Sequence, residues 1–153
     1  MPITPFHLGP GLLLKALAPR RVSFAAFVAA NVVIDAEVVV RALTNTMPLH
    51  AHLHTVVGAT LAGLAAGWAT AALSRVWPWG RIERGPALHG GLLGGVFQVL
   101  LDAPMHPDMT PLAPFVAGNP WVSAVAVDTV RMACVGAAVV GVWGLVARMR
   151  RAD

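Results

Sequence analysis

The sequence predicts an all-α integral membrane bundle, with four long spans plus a short N-terminal helix in one domain over residues 1–153. Three observations carry that expectation. Hydrophobic residues make up 57% of the chain and charged residues 12%, whereas a soluble domain is roughly half apolar and a quarter charged. The mean hydropathy is +0.70, and the apolar residues are concentrated in long stretches. The basic residues fall in short clusters at the ends of those stretches, not along one polar face. That placement makes the lipid bilayer the expected partner and argues against a nucleic-acid partner despite the net charge of +4. Disorder is excluded by the excess of apolar surface, and a disulfide scaffold by the single cysteine, Cys134.

Taken in order, Met1–His7 has no basic residue and no small-residue cleavage site after it, so no cleavable leader is expected. Leu8–Ala18 is short for a helix that must cross ~30 Å of hydrocarbon; it either crosses, placing His7 outside, or re-enters, placing it inside. Val22–Val40 is interrupted only by Ser23, Asn31, Asp35 and Glu37, and Leu53–Leu73 carries no formal charge. Ala87–Leu101 is short and glycine-rich, with His89 and Gln98, and Trp121–Ala147 has Asp128 and Arg131 near its start. Strict alternation of four spans puts Arg20–Arg21, Arg75–Arg84 and Arg148–Arg151 on one side. By the positive-inside rule this is the cytoplasm, with the C-terminus, of a bacterial-type inner membrane. Trp77, Trp79 and Trp121 fall at span ends, where aromatic belts sit, and Trp68 and Trp143 fall within spans. Gly63 with Gly67, Gly90 with Gly94 and Gly91 with Gly95 form small-residue faces, which serve either close packing inside the bundle or a homo-oligomer contact.

Ionisable groups in a span cost roughly 2.5–3.5 kcal/mol each, so each needs a reason. Under this topology Asp35, Glu37, His50, His52, His54, Asp102, His106 and Asp108 all lie at the end opposite the arginines. Histidine with carboxylates is the donor chemistry of a divalent metal, with zinc the expected ion. His50 and His54 have i, i+4 spacing, which on a helix puts both imidazoles on one face and turns His52 away. Asp102 and His106 share that spacing, but Pro104 and Pro107 predict a turn that folds back over the site. Asp35 and Glu37, two apart, cannot both aim at one point; Asp35 is the expected ligand and Glu37 a supporting group or general base. Asp128 is expected to pair with Arg131, and His89 is expected to be structural.

The order of these motifs resembles the YdjM-type family of small inner-membrane proteins, described as metal-dependent hydrolases and in part as LexA-binding. The pieces are Thr4-Pro5-Phe6-His7-x-Gly9-Pro10-Gly11, Asn31-Val-Val-Ile-Asp35-x-Glu37, His50-x-x-Leu53-His54-Thr55 and Phe97-Gln98-Val-Leu-Leu-Asp102 with Met105-His106-Pro107-Asp108. The resemblance implies ligands at His7, at Asp35 or, two residues on, Glu37, and at His50, His54 and Asp102; together with the reading of the residues above, the expected metal set is His7, Asp35, His50, His54, Asp102 and His106, with Glu37 and Asp108 in catalysis. The family is similar, more distantly, to the zinc phospholipase C and P1 nuclease group, which implies cleavage of a phosphoester or lipid head group at the outer membrane–water boundary. The family's later His-x-x-x-Asp falls on Gln98 and Asp102, so one expected imidazole is a glutamine. That departure keeps a second reading open, a non-catalytic membrane scaffold with a structural metal site. A transporter is disfavoured, because the inner halves of the spans offer little polar path beyond Ser23 and His89.

Overall fold

In the computed structural model, residues 5–76 and 80–151 are described, and among these the only regular structure is helical. A 3-10 turn, Pro5–His7, runs into α1 (Leu8–Leu17) and is followed by α2 (Phe24–Leu43), α3 (Val56–Leu73), α4 (Arg84–Asp102) and α5 (Val127–Met149). Local chemistry explains the boundaries. Ser23 caps α2, its Oγ accepting from Ala26 N at 3.3 Å, and Thr55 caps α3 through Gly58 N at 2.9 Å. Pro86 stands in the first turn of α4, where its missing N–H leaves no helical bond unmade. Pro104, two residues past Asp102, prevents α4 from continuing.

Helix α4 lies against both α2 and α3, and α1 joins this group to α5. Glycine makes the α3–α4 contact possible. A methyl added at Gly91 would run into the Gly63 carbonyl oxygen, and one at Gly95 into that of Ala59. On its other side α4 meets α2, where a methyl at Gly94 would clash with the Phe27 carbonyl. The small-residue faces considered for a homo-oligomer contact are therefore occupied inside the chain. At one end, Ile34, Ala59, Val99, Ala103 and Met109 form a closed apolar cluster, with Leu53 and Trp121 packed against it. Trp121 is half-buried there; Trp77 and Trp79 lie outside the described residues.

Among the described residues two helices, α3 and α5, are long and apolar enough to cross a membrane, against the four long spans expected. Any 18-residue window of α2 contains Asp35, Glu37 and Arg41, and α4 is diluted by five glycines, Pro86, His89 and Gln98. The two candidates are mostly uncovered within the chain, 33% buried for α3 and 17% for α5, unlike the core helix of a soluble domain. Trp68 and Trp143 project outward, 60% and 72% exposed. Helix α5 begins at Val127, six residues later than the apolar stretch suggests, because Asn119 ties the preceding chain into turns. Its Nδ2 donates to the carbonyls of Ala103 and His106, at 2.7 and 2.9 Å, and its Oδ1 accepts from Trp121 N. Arg20 and Arg81 line one depression, and Arg20, Arg21 and Arg148 another, so the three basic segments share one end of the molecule.

Candidate metal centre

A cluster at the opposite end joins four of the six histidines and four of the seven carboxylates in the chain. The organising residue is His54. It is fully buried and sits not on a helix but in the turn just before the Thr55 cap. Glu37, near the end of α2, receives that turn: its carboxylate accepts from the backbone N–H of His52 at 2.9 Å and of Leu53 at 2.8 Å. The same carboxylate lies 3.5 Å from His54 Nδ1. A proton held on Nδ1 by Glu37 leaves the lone pair on Nε2. That Nε2 is buried with no hydrogen-bond partner, 3.9 Å from Asp35 Oδ1 and 3.8 Å from Asp102 Oδ2. Asp35 and Glu37 do not aim at one point. They stand on the two nitrogens of a single imidazole.

Asp102, the last residue of α4, faces two groups at once. Its Oδ2 is turned to His54 and accepts from Gln98 Nε2 at 3.0 Å. Its Oδ1 lies 3.2 Å from His7 Nε2 and 3.9 Å from His106 Nε2. His106 arrives on the turn after α4, which closes with the Met105 and His106 amides on the Asp102 carbonyl. His50 stacks on His106 with ring centroids 3.9 Å apart and meets His54 edge-on at 4.8 Å. Asp108 serves His50 much as Glu37 serves His54. It accepts from the Leu49 and His50 amides, at 3.1 and 3.2 Å, and lies 3.0 Å from His50 Nδ1.

Two sets of three donors follow, each within 4.8 Å: Asp35 with His54 and Asp102, and His50 with His106 and Asp108. Burial, and then the neighbouring His50, hold the His54 and His106 imidazoles below their ordinary pKa, which favours the neutral form a metal requires. Burial by itself would raise Asp108, but the hydrogen bonds from the His50 side chain and backbone outweigh it and lower its pKa.

All six expected ligands, His7, Asp35, His50, His54, Asp102 and His106, are thus linked through short contacts. The helical geometry expected for His50 and His54 is corrected: residues 44–55 form turns, and the two rings meet because Glu37 and Asp108 anchor that segment from either side. Glu37 and Asp108, expected in catalysis, hold backbone amides and imidazole nitrogens. His52 is exposed, as is His89, and Asp128 pairs with Arg131 at 3.2 Å on an exposed helix face. Sequence reasoning missed Asn119, whose only signal is the Asn-Pro step before Trp121, and the contacts made by Gln98, which is wholly buried between Asp35 and Asp102. Comparison with protein-family models, curated proteins and solved structures finds no match to this chain.

Proposed function

We propose that this cluster is the centre of a membrane-embedded, metal-dependent hydrolase of the YdjM type, acting on a phosphoester or lipid head group. The observation that carries the reading is His54 Nε2, a buried lone pair without a hydrogen-bond partner, facing two carboxylates while Glu37 takes the other ring nitrogen. Such an arrangement is costly unless a cation completes it. Asp35, His54 and Asp102 would hold one divalent ion. His50, His106 and His7 supply imidazoles beside it, a donor type suited to zinc. Glu37 and Asp108 are positioning residues, fixing the tautomers of His54 and His50. A bound divalent ion supplies Lewis acidity and lowers the pKa of a coordinated water toward neutrality. The exposed apolar faces of α3 and α5 support immersion in a bilayer, with the arginine end cytoplasmic and the cluster facing outward.

Elemental analysis of detergent-purified protein tests the reading. Stoichiometric divalent metal is expected, lost in His54→Ala and in Asp102→Asn, together with hydrolysis of a chromogenic phosphodiester by the native chain. A native protein without metal would overturn it. The Gln98 amide supports a second reading, because its nitrogen already bridges Asp35 and Asp102 as a structural element would. In that scaffold reading the metal is present and stabilises the fold, but no phosphodiester is turned over.

A further inference from the structure

We propose that Gln98 is a ligand of the Asp35–His54–Asp102 ion through its side-chain oxygen, and that it biases this position toward a hard divalent ion of the manganese class. The inference rests on the metal reading above and concerns which ion the position takes.

The side chain of Gln98 is wholly buried, in the last two turns of α4 and one turn before Asp102. Its Nε2 donates to Asp35 Oδ1 at 2.6 Å and to Asp102 Oδ2 at 3.0 Å. These are the same two oxygens that face His54 Nε2. The amide nitrogen therefore occupies the region where the two carboxylates and the imidazole converge. Its Oε1 is also buried and has no hydrogen-bond partner. A buried amide carbonyl without a partner carries the desolvation cost of a lost hydrogen bond.

A half-turn about the last side-chain bond exchanges Nε2 and Oε1 with little change of volume, since the two ends of an amide are nearly isosteric. With a cation held by Asp35, His54 and Asp102, the N–H₂ group would point its partial positive charge at the ion. The carbonyl oxygen would instead point a lone pair at it. The same half-turn gives the orphaned Oε1 a partner and gives up the two bonds from Nε2 to the carboxylates, whose charge the ion then neutralises. The resulting donors are two carboxylate oxygens, one amide oxygen and one imidazole nitrogen. Oxygen-rich sets of this kind suit magnesium, calcium and manganese, whereas imidazole and thiolate suit zinc. The single imidazole tips the balance from magnesium toward manganese. The imidazole-rich side at His50 and His106 keeps its affinity for zinc, so the two halves of the cluster differ in hardness.

The test is calorimetric titration of manganese and of zinc, each alone, into the detergent-purified full chain carrying Gln98, Gln98→Glu, Gln98→His or Gln98→Leu, with helix content followed by circular dichroism. Gln98→Leu should weaken manganese binding by about 10–100-fold, at least the loss seen when an outer partner of a metal site is removed. Gln98→Glu retains an oxygen donor and should keep manganese affinity at or above the native value. Gln98→His should raise the zinc-to-manganese affinity ratio by about tenfold or more. If Gln98→Leu does not fold, Gln98→Glu and Gln98→His decide the matter between them. Native binding that is lost in His54→Ala but unchanged by every substitution at 98 would overturn the role of Gln98 and leave the metal centre standing. A native chain that binds neither ion would overturn both.

Discussion

Removing the Glu37 carboxylate should be the most informative single change, because it tests whether the site is pre-shaped by the protein. In the structure Glu37 accepts from two backbone amides, at 2.9 and 2.8 Å, and lies at 3.5 Å from His54 Nδ1. A hydrogen bond to a charged group contributes about 1.5–3 kcal/mol. Only two of the three contacts are well formed, and the exposed His52 amide can turn to water. Glu37→Ala should therefore cost about 2–4 kcal/mol of stability, and Glu37→Gln, which keeps one accepting oxygen, about half as much. Metal affinity should fall by about 10–100-fold, because the tautomer of His54 is then no longer held with its lone pair on Nε2. Reversible denaturation in detergent measures the first quantity and metal titration the second. The Gln variant should separate them, losing more affinity than stability. Native-like stability and metal affinity in Glu37→Ala would refute the claim that Glu37 builds the turn and aims the ring.

Other outcomes follow from packing and charge. Gly91→Val should separate α3 from α4, because the clash is with backbone and cannot be relieved by a rotamer change; a loss of more than about 3 kcal/mol is expected, against a near-neutral Gly136→Ala, where nothing lies within 4 Å. As pH falls, metal affinity should hold to about the ordinary imidazole value of 6.5 and decline only below it, since His54 and His106 are shifted downward. The contribution of His54 and His106 to the stability of the apo fold should decline over the same range, because below 6.5 the unfolded chain binds protons that these buried rings resist; an affinity unchanged in His54→Ala and His106→Ala across that range would contradict the burial argument. A reporter enzyme fused after Asp153 should be active only in the cytoplasm, given the basic groups of the α1–α2 turn, the α3–α4 link and the end of α5 at one pole; activity on the far side would overturn the proposed outward placement of the cluster.

The sequence by itself determined the helical class, the approximate helix positions and the separation of the basic residues from the candidate metal ligands to opposite ends. Each of these is local information: an apolar stretch, a capping serine or threonine, a proline after Asp102. Alternation of helices then carries the ends to opposite poles without any detailed packing. The tertiary structure decided how the candidate residues meet. The i, i+4 spacing of His50 and His54 suggests a helix face, yet Thr55 starts α3 only after them, and their rings are brought together by carboxylates 17 residues before His54 and 58 residues after His50. Neither the division of Asp35 and Glu37 between two nitrogens of one imidazole nor the wedging of Gln98 between two carboxylates follows from spacing. The first depends on how the turn before α3 docks on α2, and the second on the rotation and depth of α4 against α2 and α3, where glycines let backbone meet backbone. Hydropathy is blind to that register, because sliding α4 by one turn leaves its composition unchanged while moving Gln98 and Asp102 about 5.4 Å along the helix axis.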